Sequence, residues 1–467
     1  MRHVRIAILG AGTAGLTALS QVRKHTDDFV IVNHGPYGTT CARVGCMPSK
    51  ALIQAADDFH RRDALAALGI HGGEGLRVDL PAVLQRVRDY RDARVAGVLG
   101  STNGLQPAQN IAGRARLDGP DRVIVTHADG QDEAIGADHI LIATGTRPVV
   151  PAAWHALGDR VLTTDDLFER RDLPRRIAVV GLGVIGIELG QALARLGLQV
   201  HGFELRDSLG PLTDPVIQAE ALRRIGAEFA LHMGRAVTLR EGEGGTVLVD
   251  NGETVVEVDA VLAALGRRTN TDGLCLDTLG VPLDARGLPT FDRNTLQIGD
   301  LPVFFTGDVN GELQVLHEAS DEGFIAAFNA LHGPARFRRR VPLAIAFTDP
   351  QIAVVGQTWQ ALQGRPFATG GFNFAQQARA MAMLRAAGQL HVYAEPGSGK
   401  LLGAELCVPG AEHLGHLLAL AIQRGMTVAE LLTLPFYHPV LEEGLRAALR
   451  VLARAVYGEA PLEMARL

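Results

Sequence analysis

Short apolar runs followed by glycine-rich turns recur along the chain. The run Val4–Leu9 leads at once into glycines and then into an Ala- and Leu-rich stretch that extends to about Lys24. This order predicts a buried strand, a tight turn and a helix. A second copy of the pattern begins at Ile177–Val180. Two such units predict an α/β fold with two Rossmann-like dinucleotide-binding domains.

Both turns have the glycine spacing G-x-G-x-x-G. The first glycine permits the sharp turn, the second lets the backbone approach a pyrophosphate, and the third lets helix and strand pack closely. One such motif arises easily by chance in a chain with 54 glycines, but two in the correct context predict two dinucleotide sites. The glycines are Gly10, Gly12 and Gly15 in the first turn and Gly181, Gly183 and Gly186 in the second.

The residue that ends the second strand of each unit selects the ribose that is bound. Phe29–Val32 is followed by Asn33, where an acidic residue is usual. Leu198–Phe203 is followed by Glu204, which would accept a hydrogen bond from a free 2′-hydroxyl and repel a 2′-phosphate. Arg206 could meet such a phosphate, although a solvated loop charge is the simpler interpretation. The pattern therefore favours NAD over NADP.

Length, composition and charge narrow the class of protein. A chain of 467 residues exceeds what one hydrophobic core normally serves, so several domains are expected. The net charge of −6 gives no basic surface for nucleic acid. The first strand begins too close to Met1 for a signal segment, and no apolar run approaches the ~20 residues that span a membrane. A cytoplasmic protein is expected.

Two of the four cysteines, Cys41 and Cys46, follow the first glycine turn. A bridge between them would close a very small loop and constrain little chain entropy, so thiol exchange explains the pair better than a structural staple. No metal is predicted, because no second Cys or His cluster with zinc spacing accompanies them. Cys275 and Cys407 are interpreted as ordinary buried residues, and the run Arg336–Arg340 as a solvated linker.

These motifs together resemble the family of FAD-dependent pyridine nucleotide–disulfide oxidoreductases. Within that family the chain is most similar to the branch that oxidises dihydrolipoyl groups with NAD⁺. The resemblance covers nearly the whole chain. Besides the glycine turns and the cysteines it rests on the segments Ala143–Gly145, Gly266–Arg268, Thr306–Asp308, His317–Ala319, Thr348–Pro350 and His438–Pro439.

The resemblance implies a domain order and a homodimer. The FAD domain is expected at residues 1–148 and, with its central second part, at 268–338; the NAD domain is expected at 149–267 and an α+β dimerisation domain at 339–467. Val303–Phe305, Leu343–Phe347 and Gln389–Tyr393 are predicted strands, and a long amphipathic helix is predicted to follow Glu443 and to extend to about Val456.

The resemblance also assigns cofactor contacts. FAD would be bound by the first glycine turn, Asn33, Thr144, Gly145 and Asp308, with Lys50 beside its reactive ring and paired with Glu188. A lysine there would stabilise negative charge on the reduced ring. NAD would be bound by the second glycine turn together with Glu204 and Gly266.

Catalytic roles follow in the same way. A dithiol substrate would lose a proton to His438 and attack the outer sulfur of Cys41, which releases Cys46 as the thiolate next to the flavin. Glu443 would hold one ring nitrogen of His438. In the family the histidine segment comes from the partner subunit, so each active site would be shared. A helix opened by Pro48 and the charges of Arg43 and Lys50 would favour thiolates.

Several residues depart from the family pattern. Glu442 replaces a small hydroxyl residue before Glu443, and Arg43, Val44 and Asn33 are further variations. They leave the natural substrate open between a lipoylated carrier protein, a small dithiol and another disulfide reduced with NAD(P)H. A flavin transhydrogenase without a disulfide and a flavin-bound scaffold without catalysis are the remaining alternatives, and the intact Cys41 and Cys46 pair disfavours both.

Overall fold

The computed structural model describes residues 1–459 and 462–464. Its α-helices, in chain order, are α1 (Thr13–Val22), α2 (Thr40–Val44), α3 (Cys46–His60), α4 (Leu80–Leu99), α5 (Thr164–Leu167), α6 (Val184–Arg195), α7 (Pro215–Ile225), α8 (Leu316–His332), α9 (Ala378–Ala382), α10 (Ala411–Gln423), α11 (Val428–Leu432) and α12 (Glu442–Tyr457). None of the helices in these ranges is both long enough and apolar enough to cross a membrane.

The strands extend most of the predicted apolar runs by one or two residues. They are β1 (Arg2–Leu9), β2 (Phe29–Asn33), β3 (Asn110–Ala112), β4 (Arg114–Leu117), β5 (Arg122–Thr126), β6 (Asp132–Ile142), β7 (Thr146–Pro148), β8 (Val161–Leu162), β9 (Arg176–Val180), β10 (Gln199–Phe203), β11 (Ala230–His232), β12 (Thr238–Glu241), β13 (Val247–Asp250), β14 (Val255–Val258), β15 (Ala260–Ala263), β16 (Arg267–Thr269), β17 (Val303–Phe305), β18 (Leu343–Ala346), β19 (Gln351–Gly356), β20 (Ala368–Asn373), β21 (Gln389–Ala394) and β22 (Leu401–Val408).

The chain forms two compact units, and each is built from separate segments. Unit 1 comprises Met1–Ser49, Gln85–Val149 and Gly266–Arg339, and unit 2 comprises Lys50–Leu84, Val150–Leu265 and the chain from Arg340 onward. The α/β class with two dinucleotide-binding sheets and an α+β C-terminal part is the one predicted. The finer division at residues 148, 267 and 338 stays a prediction.

Unit 1 is organised around one twisted sheet. Its strand order is β3-β2-β1-β6-β5-β4, and β17 pairs with the C-terminal half of β6. Strands β2, β1, β6 and β17 are parallel, so their carboxyl ends meet at one edge. Alternate residues of β1 face opposite sides. Ile6 and Ile8 pack with α1 and α8, whereas Ala7 and Leu9 join the core on the other face.

Unit 2 contains a second parallel sheet of order β11-β10-β9-β15-β8 and an antiparallel sheet of order β18-β19-β22-β21-β20. The predicted C-terminal helix is present as α12, whose buried residues recur every three or four positions. It packs closely on β20, because a Cβ at Gly370 would stand 2.4 Å from the carbonyl oxygen of Ala448.

A buried polar network fixes α7 in unit 2. Asp214 caps this helix by accepting a hydrogen bond from the amide of Val216, and it also accepts hydrogen bonds from His391 and Tyr393 on β21. Burial alone would raise the pKa of Asp214, but the bonds from His391 and Tyr393 outweigh it and hold this pKa below its ordinary value. The carboxylate of Asp214 therefore stays ionised while it caps α7 and accepts these hydrogen bonds.

Three expectations about local structure are wrong. Helix α3 begins at Cys46 rather than at Pro48, so Pro48 lies inside its first turn, where a missing amide proton is tolerated. Cys275 is not in the core: it has φ +56° and lines a cleft of about 1010 Å³ in unit 1.

The third wrong expectation concerns the basic run, because Arg339 is not a solvated linker residue. Its guanidinium donates to the buried Glu318 and Glu322 within unit 1. Cys407, by contrast, is fully buried, and burial raises the pKa of its thiol to about 12.

Candidate active site

The first glycine turn lies in unit 1 between β1 and α1. Gly10 has φ +114°, and a Cβ there would stand 2.3 Å from the carbonyl oxygen of Ala143. A Cβ at Gly15 would stand 1.9 Å from the carbonyl oxygen of Gly10. The corresponding direction at Gly12 is open, with the nearest protein atom 4.0 Å away. Gly12 therefore leaves open space at the N-terminus of α1, whereas backbone atoms fill the Cβ positions of Gly10 and Gly15. Such a space fits a pyrophosphate group.

Asn33 supports this turn at the end of β2. Its Oδ1 accepts a hydrogen bond from the amide of Ala11 at 3.0 Å, and its Nδ2 donates to the carbonyl oxygen of Gly35 at 3.1 Å. The amide side chain therefore holds the glycine turn in place.

Asp308 lies at the same edge of the sheet, just after β17. A Cβ at Gly307 would stand 2.7 Å from the Cβ of Ala14, so this segment lies against the start of α1. The Thr146 hydroxyl donates to Asp308 at 3.4 Å. Burial raises the pKa of Asp308, and the nearby Arg267 guanidinium opposes that rise. A carboxyl group at this place could accept a hydrogen bond from a ribityl hydroxyl.

Thr144 and Gly145 follow β6 beside this edge. The Thr144 hydroxyl donates to the carbonyl oxygen of Asn270 at 2.8 Å, and the amide of Asn270 donates to the carbonyl oxygen of Gly145 at 2.9 Å. The Asn270 side chain closes the pair by donating to the carbonyl oxygen of Thr144. Unit 1 thus brings the predicted FAD-binding residues other than Lys50 to the carboxyl ends of its parallel strands.

The cysteines lie on consecutive helices joined by one residue. Cys41 is in α2 and Cys46 begins α3, with Gly45 between them. A Cβ at Gly45 would stand 3.2 Å from the Cα of Cys41, so glycine lets the chain fold back tightly here. Thr39 caps α2 by accepting from the amide of Ala42, and it adopts φ +62°, a strained backbone conformation for a threonine. Cys41 is half-buried and Cys46 is exposed.

The second glycine turn lies in unit 2 between β9 and α6 and repeats the geometry of the first. Cβ atoms at Gly181 and Gly186 would clash with backbone carbonyl oxygens at 2.4 and 1.8 Å, whereas Gly183 has no protein atom within 4 Å of that position. Glu204 accepts a hydrogen bond from the amide of Leu182 at 2.7 Å, as Asn33 does from Ala11. This turn also provides an open cradle.

A cavity of about 220 Å³ adjoins the second turn, and Glu204 lines it. Both the amide and the Nε of Arg206 donate to Glu204 Oε1, at 3.1 and 3.3 Å. Arg206 is therefore more than a solvated charge, because it helps to orient this carboxylate. The remaining walls are apolar or basic and include Pro151, Trp154, Phe203, Leu205, Arg235, Val237 and Leu265. Such a cavity suits an adenosine group.

Lys50 and Glu188 form the predicted pair within unit 2. The Nζ of Lys50 donates to Glu188 Oε2 at 2.8 Å and lies 4.6 Å from the centre of the Phe347 ring. Glu188 Oε1 accepts a hydrogen bond from the amide of Phe347 at 2.9 Å. This bond takes Phe347 out of the sheet, which explains why β18 ends one residue before the predicted position.

His438 and Glu443 also form the predicted pair within unit 2. The Nδ1 of His438 lies 3.0 and 3.2 Å from the two carboxylate oxygens of Glu443, and the amide of Val440 donates to the same carboxylate. The hydrogen bond with His438 holds the pKa of Glu443 below its ordinary value. The His438 side chain is 76% exposed, so its Nε2 edge is open to a substrate or to a second subunit.

Two dinucleotide cradles, a cysteine pair and an acid-held histidine in one chain fit a flavoprotein disulfide oxidoreductase. The chain matches the family model "Pyridine nucleotide-disulphide oxidoreductase" over residues 4–323 and the dimerisation domain of the same family over residues 342–449. The chain belongs to this family. It is an oxidoreductase whose cofactors are FAD and NAD, and the dimerisation domain supports a homodimer.

Curated relatives place the chain near one branch of the family without fixing its substrate. It is 33% identical to a dihydrolipoyl dehydrogenase of Halobacterium salinarum, with 97% of each chain covered. It is also 30% identical to a mercuric reductase of Acidithiobacillus ferrooxidans, with 97% of this chain and 84% of that protein covered. The crystal structure of LpdA from Mycobacterium tuberculosis superposes with a TM-score of 0.82 at 28% identity, covering 96% of this chain and 99% of that one.

The pairs of Lys50 with Glu188 and of His438 with Glu443 were predicted, but several residues that support the site were not. Two of them contact predicted site residues directly: Asn270 bonds to Thr144, and Phe347 bonds to Glu188. The other two act nearby, since Gln191 bonds to Asp349 and Arg195 bonds to Asp57. For Gln191 and Arg195 the available signal was a polar residue on the otherwise apolar helix α6. Gly266, predicted as an NAD contact, belongs to unit 1 and has φ +90°, and its role stays a prediction.

Replacing Glu204 with alanine is expected to weaken NAD⁺ binding about tenfold, the scale of one hydrogen bond to a charged group. The same change should reduce discrimination against NADP⁺, because the repulsion of a 2′-phosphate disappears. Equilibrium titration of both nucleotides measures the two effects, and Glu243→Ala, which removes an exposed carboxylate of the same unit, is the matched control. Unchanged NAD⁺ affinity in Glu204→Ala would place the ribose elsewhere.

Proposed function

We propose that the protein oxidises a dihydrolipoyl dithiol, carried on another protein, to its disulfide with NAD⁺ as the final acceptor. The observation that supports this most is the contact of Glu443 with His438 Nδ1, which leaves Nε2 as the proton-accepting atom. A base with that orientation is required to activate a thiol substrate. The alternative of a scaffold without catalysis has no need of it.

The proposed chemistry begins with proton removal. His438 Nε2 takes a proton from one substrate thiol, and Glu443 stabilises the imidazolium that results. The substrate thiolate attacks Cys41, so that a mixed disulfide forms, the Cys41–Cys46 bond breaks and Cys46 leaves as a thiolate. The second substrate thiol then attacks the mixed disulfide, which closes the substrate disulfide and leaves both cysteines reduced.

The two cysteines must then be oxidised back to the disulfide before the next substrate reacts. Bound FAD would supply the electron-pair and hydride-transfer chemistry that links the two cysteines to NAD⁺, and the first glycine turn, Asn33 and Asp308 would hold it. Lys50, held by Glu188, supplies positive charge that favours the reduced ring. In this proposal the histidine segment of one subunit completes the cysteine site of its partner in the homodimer, and the catalytic residues are Cys41, Cys46, His438, Glu443, Lys50 and Glu188.

Anaerobic mixing with dihydrolipoamide, without NAD⁺, tests the proposal. A rapid rise of long-wavelength visible absorbance, which reports a thiolate next to the flavin, is the expected result. The same band on adding NADH, without a response to dihydrolipoamide, would contradict the dihydrolipoyl assignment and favour a reductase of another disulfide. Glutathione disulfide and Hg²⁺ would then be the first acceptors to compare.

A further inference from the structure

Helix α6 carries three buried polar side chains on one face. Glu188, Gln191 and Arg195 are spaced three and four residues apart, and each is no more than 8% exposed. Their neighbours on the helix are glycines, alanines and aliphatic residues. Polar groups are costly to bury without partners, so this row indicates specific contacts.

The first set of contacts is with the segment that follows β18. The amide of Phe347 donates to Glu188 at 2.9 Å. The amide of Asp349 donates to Gln191 Oε1 at 2.8 Å, and Gln191 Nε2 donates to the carbonyl oxygen of Asp349 at 2.9 Å. This segment therefore follows the polar row of α6 residue by residue.

The second set of contacts is with α3, the helix that begins at Cys46. Lys50 donates to Glu188 at 2.8 Å, and Asp57 accepts from Arg195 at 2.6 Å. Lys50 and Asp57 are seven residues apart on α3, and Glu188 and Arg195 are seven residues apart on α6, which is about two helical turns in each case. Two ion pairs therefore join α3 to α6, with the two helices running in the same direction. Glu228 holds the other side of the Arg195 guanidinium at 2.6 and 2.7 Å.

The guanidinium group of Arg195 makes the second ion pair between α3 and α6 rigid. Its side chain is 3% exposed and contacts Asp57, Glu228 and the carbonyl oxygen of Asp349. Removal of one partner of a charge buried in this way leaves the other charge uncompensated, which destabilises the local packing. A planar guanidinium fixes direction as well as distance, which a lysine could not do.

We propose that Arg195 and Asp57 are positioning residues that set the place of Lys50 by fixing α3 along α6. The proposal rests on the role proposed above for Lys50 beside the flavin ring. Release of α3 at Asp57 removes one of the two ion pairs that join it to α6, so the position of Lys50 and of its charge near the ring is fixed less firmly. The reduced flavin then loses part of its electrostatic stabilisation, so its reduction potential falls.

Asp57→Asn separates position from charge. Removal of a negative charge, acting through space alone, would raise the flavin potential or leave it unchanged, whereas loss of position lowers it. We expect the equilibrium between NADH and the oxidised, flavin-loaded enzyme to become about tenfold less favourable for flavin reduction, which is about 30 mV for two electrons. The measurement is a redox titration of the intact holoenzyme followed by its visible spectrum.

Asp58→Asn is the matched control, because Asp58 is the next residue, is exposed and contacts Gln54 instead of Arg195. Its potential should equal that of the unmodified protein. Arg195→Met should lower the potential at least as far as Asp57→Asn, and Arg195→Lys should restore it only in part. A raised or unchanged potential in Asp57→Asn, even with a lower Tm, would overturn the proposal, because a purely structural role affects stability alone.

Two further outcomes distinguish a failure of the positioning role from a failure of the proposed function. Failure to oxidise dihydrolipoamide contradicts the substrate assignment but leaves the potentials of the variants measurable with NADH. Lys50→Met should lower the potential by itself. An unchanged potential in Lys50→Met would remove the premise and overturn the positioning role with it.

Discussion

Cys46→Ser is expected to abolish oxidation of dihydrolipoamide, by about 10³-fold or more, while the protein keeps its flavin. The serine hydroxyl can neither form the redox disulfide nor pass an electron pair, so the reaction loses a step rather than a favourable contact. Because Cys46 is exposed and begins α3, the change of one atom should leave the fold intact. Steady-state assay together with flavin content from the visible spectrum measures both effects.

A thiol-independent reaction supplies the control for Cys46→Ser. Oxidation of NADH by an artificial one-electron acceptor such as ferricyanide needs the nucleotide and flavin sites but no cysteine, and it should persist within about twofold, an effect below 0.5 kcal/mol. Cys41→Ser should behave in the same way in both assays. Retained dihydrolipoamide oxidation in either variant would contradict the mechanism.

The second large effect is expected for His438→Ala, which should lower dithiol oxidation by about 10²- to 10⁴-fold, the usual range for loss of a general base. His413→Ala is the matched control, since the side chains of His413 and His438 are both 76% exposed. Its activity should be unchanged.

Mixed dimers test whether the site is shared between subunits. A dimer of one Cys46→Ser chain and one His438→Ala chain has one site with both changes and one site with neither, provided that each site combines residues of both chains. Such dimers should recover about half of the normal activity, since one of two sites is intact. If each chain forms its own site, every site carries one change and the mixed dimers stay inactive.

The parts of this protein that could be predicted from sequence are those with a local cause. The glycine turns were predictable because their spacing follows from backbone sterics, and Asn33 and Glu204 were predictable because they stand at the end of the strand that follows each glycine turn and its helix. The pairing of His438 with Glu443 spans five residues at the start of one helix. Such features need no knowledge of distant segments.

Features that depend on distant segments were missed or predicted wrongly unless the family resemblance supplied them, as it did for the pair of Lys50 with Glu188. Arg339 is one residue of a basic run, and nothing local indicates that Glu318 and Glu322 will surround it. Cys275 looked like a core residue in its apolar surroundings, but its left-handed backbone conformation places it in a cleft wall. The ion pair of Asp57 with Arg195 joins residues 138 positions apart. Tertiary packing decides these cases.

The discontinuity of unit 1 also constrains how the protein is made. Its central sheet lacks β17 until residue 305 has been synthesised, because this strand pairs with β6. At ribosomal rates of about 5–20 residues per second, the chain between Val149 and Val303 takes roughly 8–30 s to produce. During that interval the C-terminal half of β6 presents an unpaired edge to solvent or to a chaperone. Flavin uptake is therefore expected late in biosynthesis, and flavin supply at that moment should govern the yield of folded enzyme.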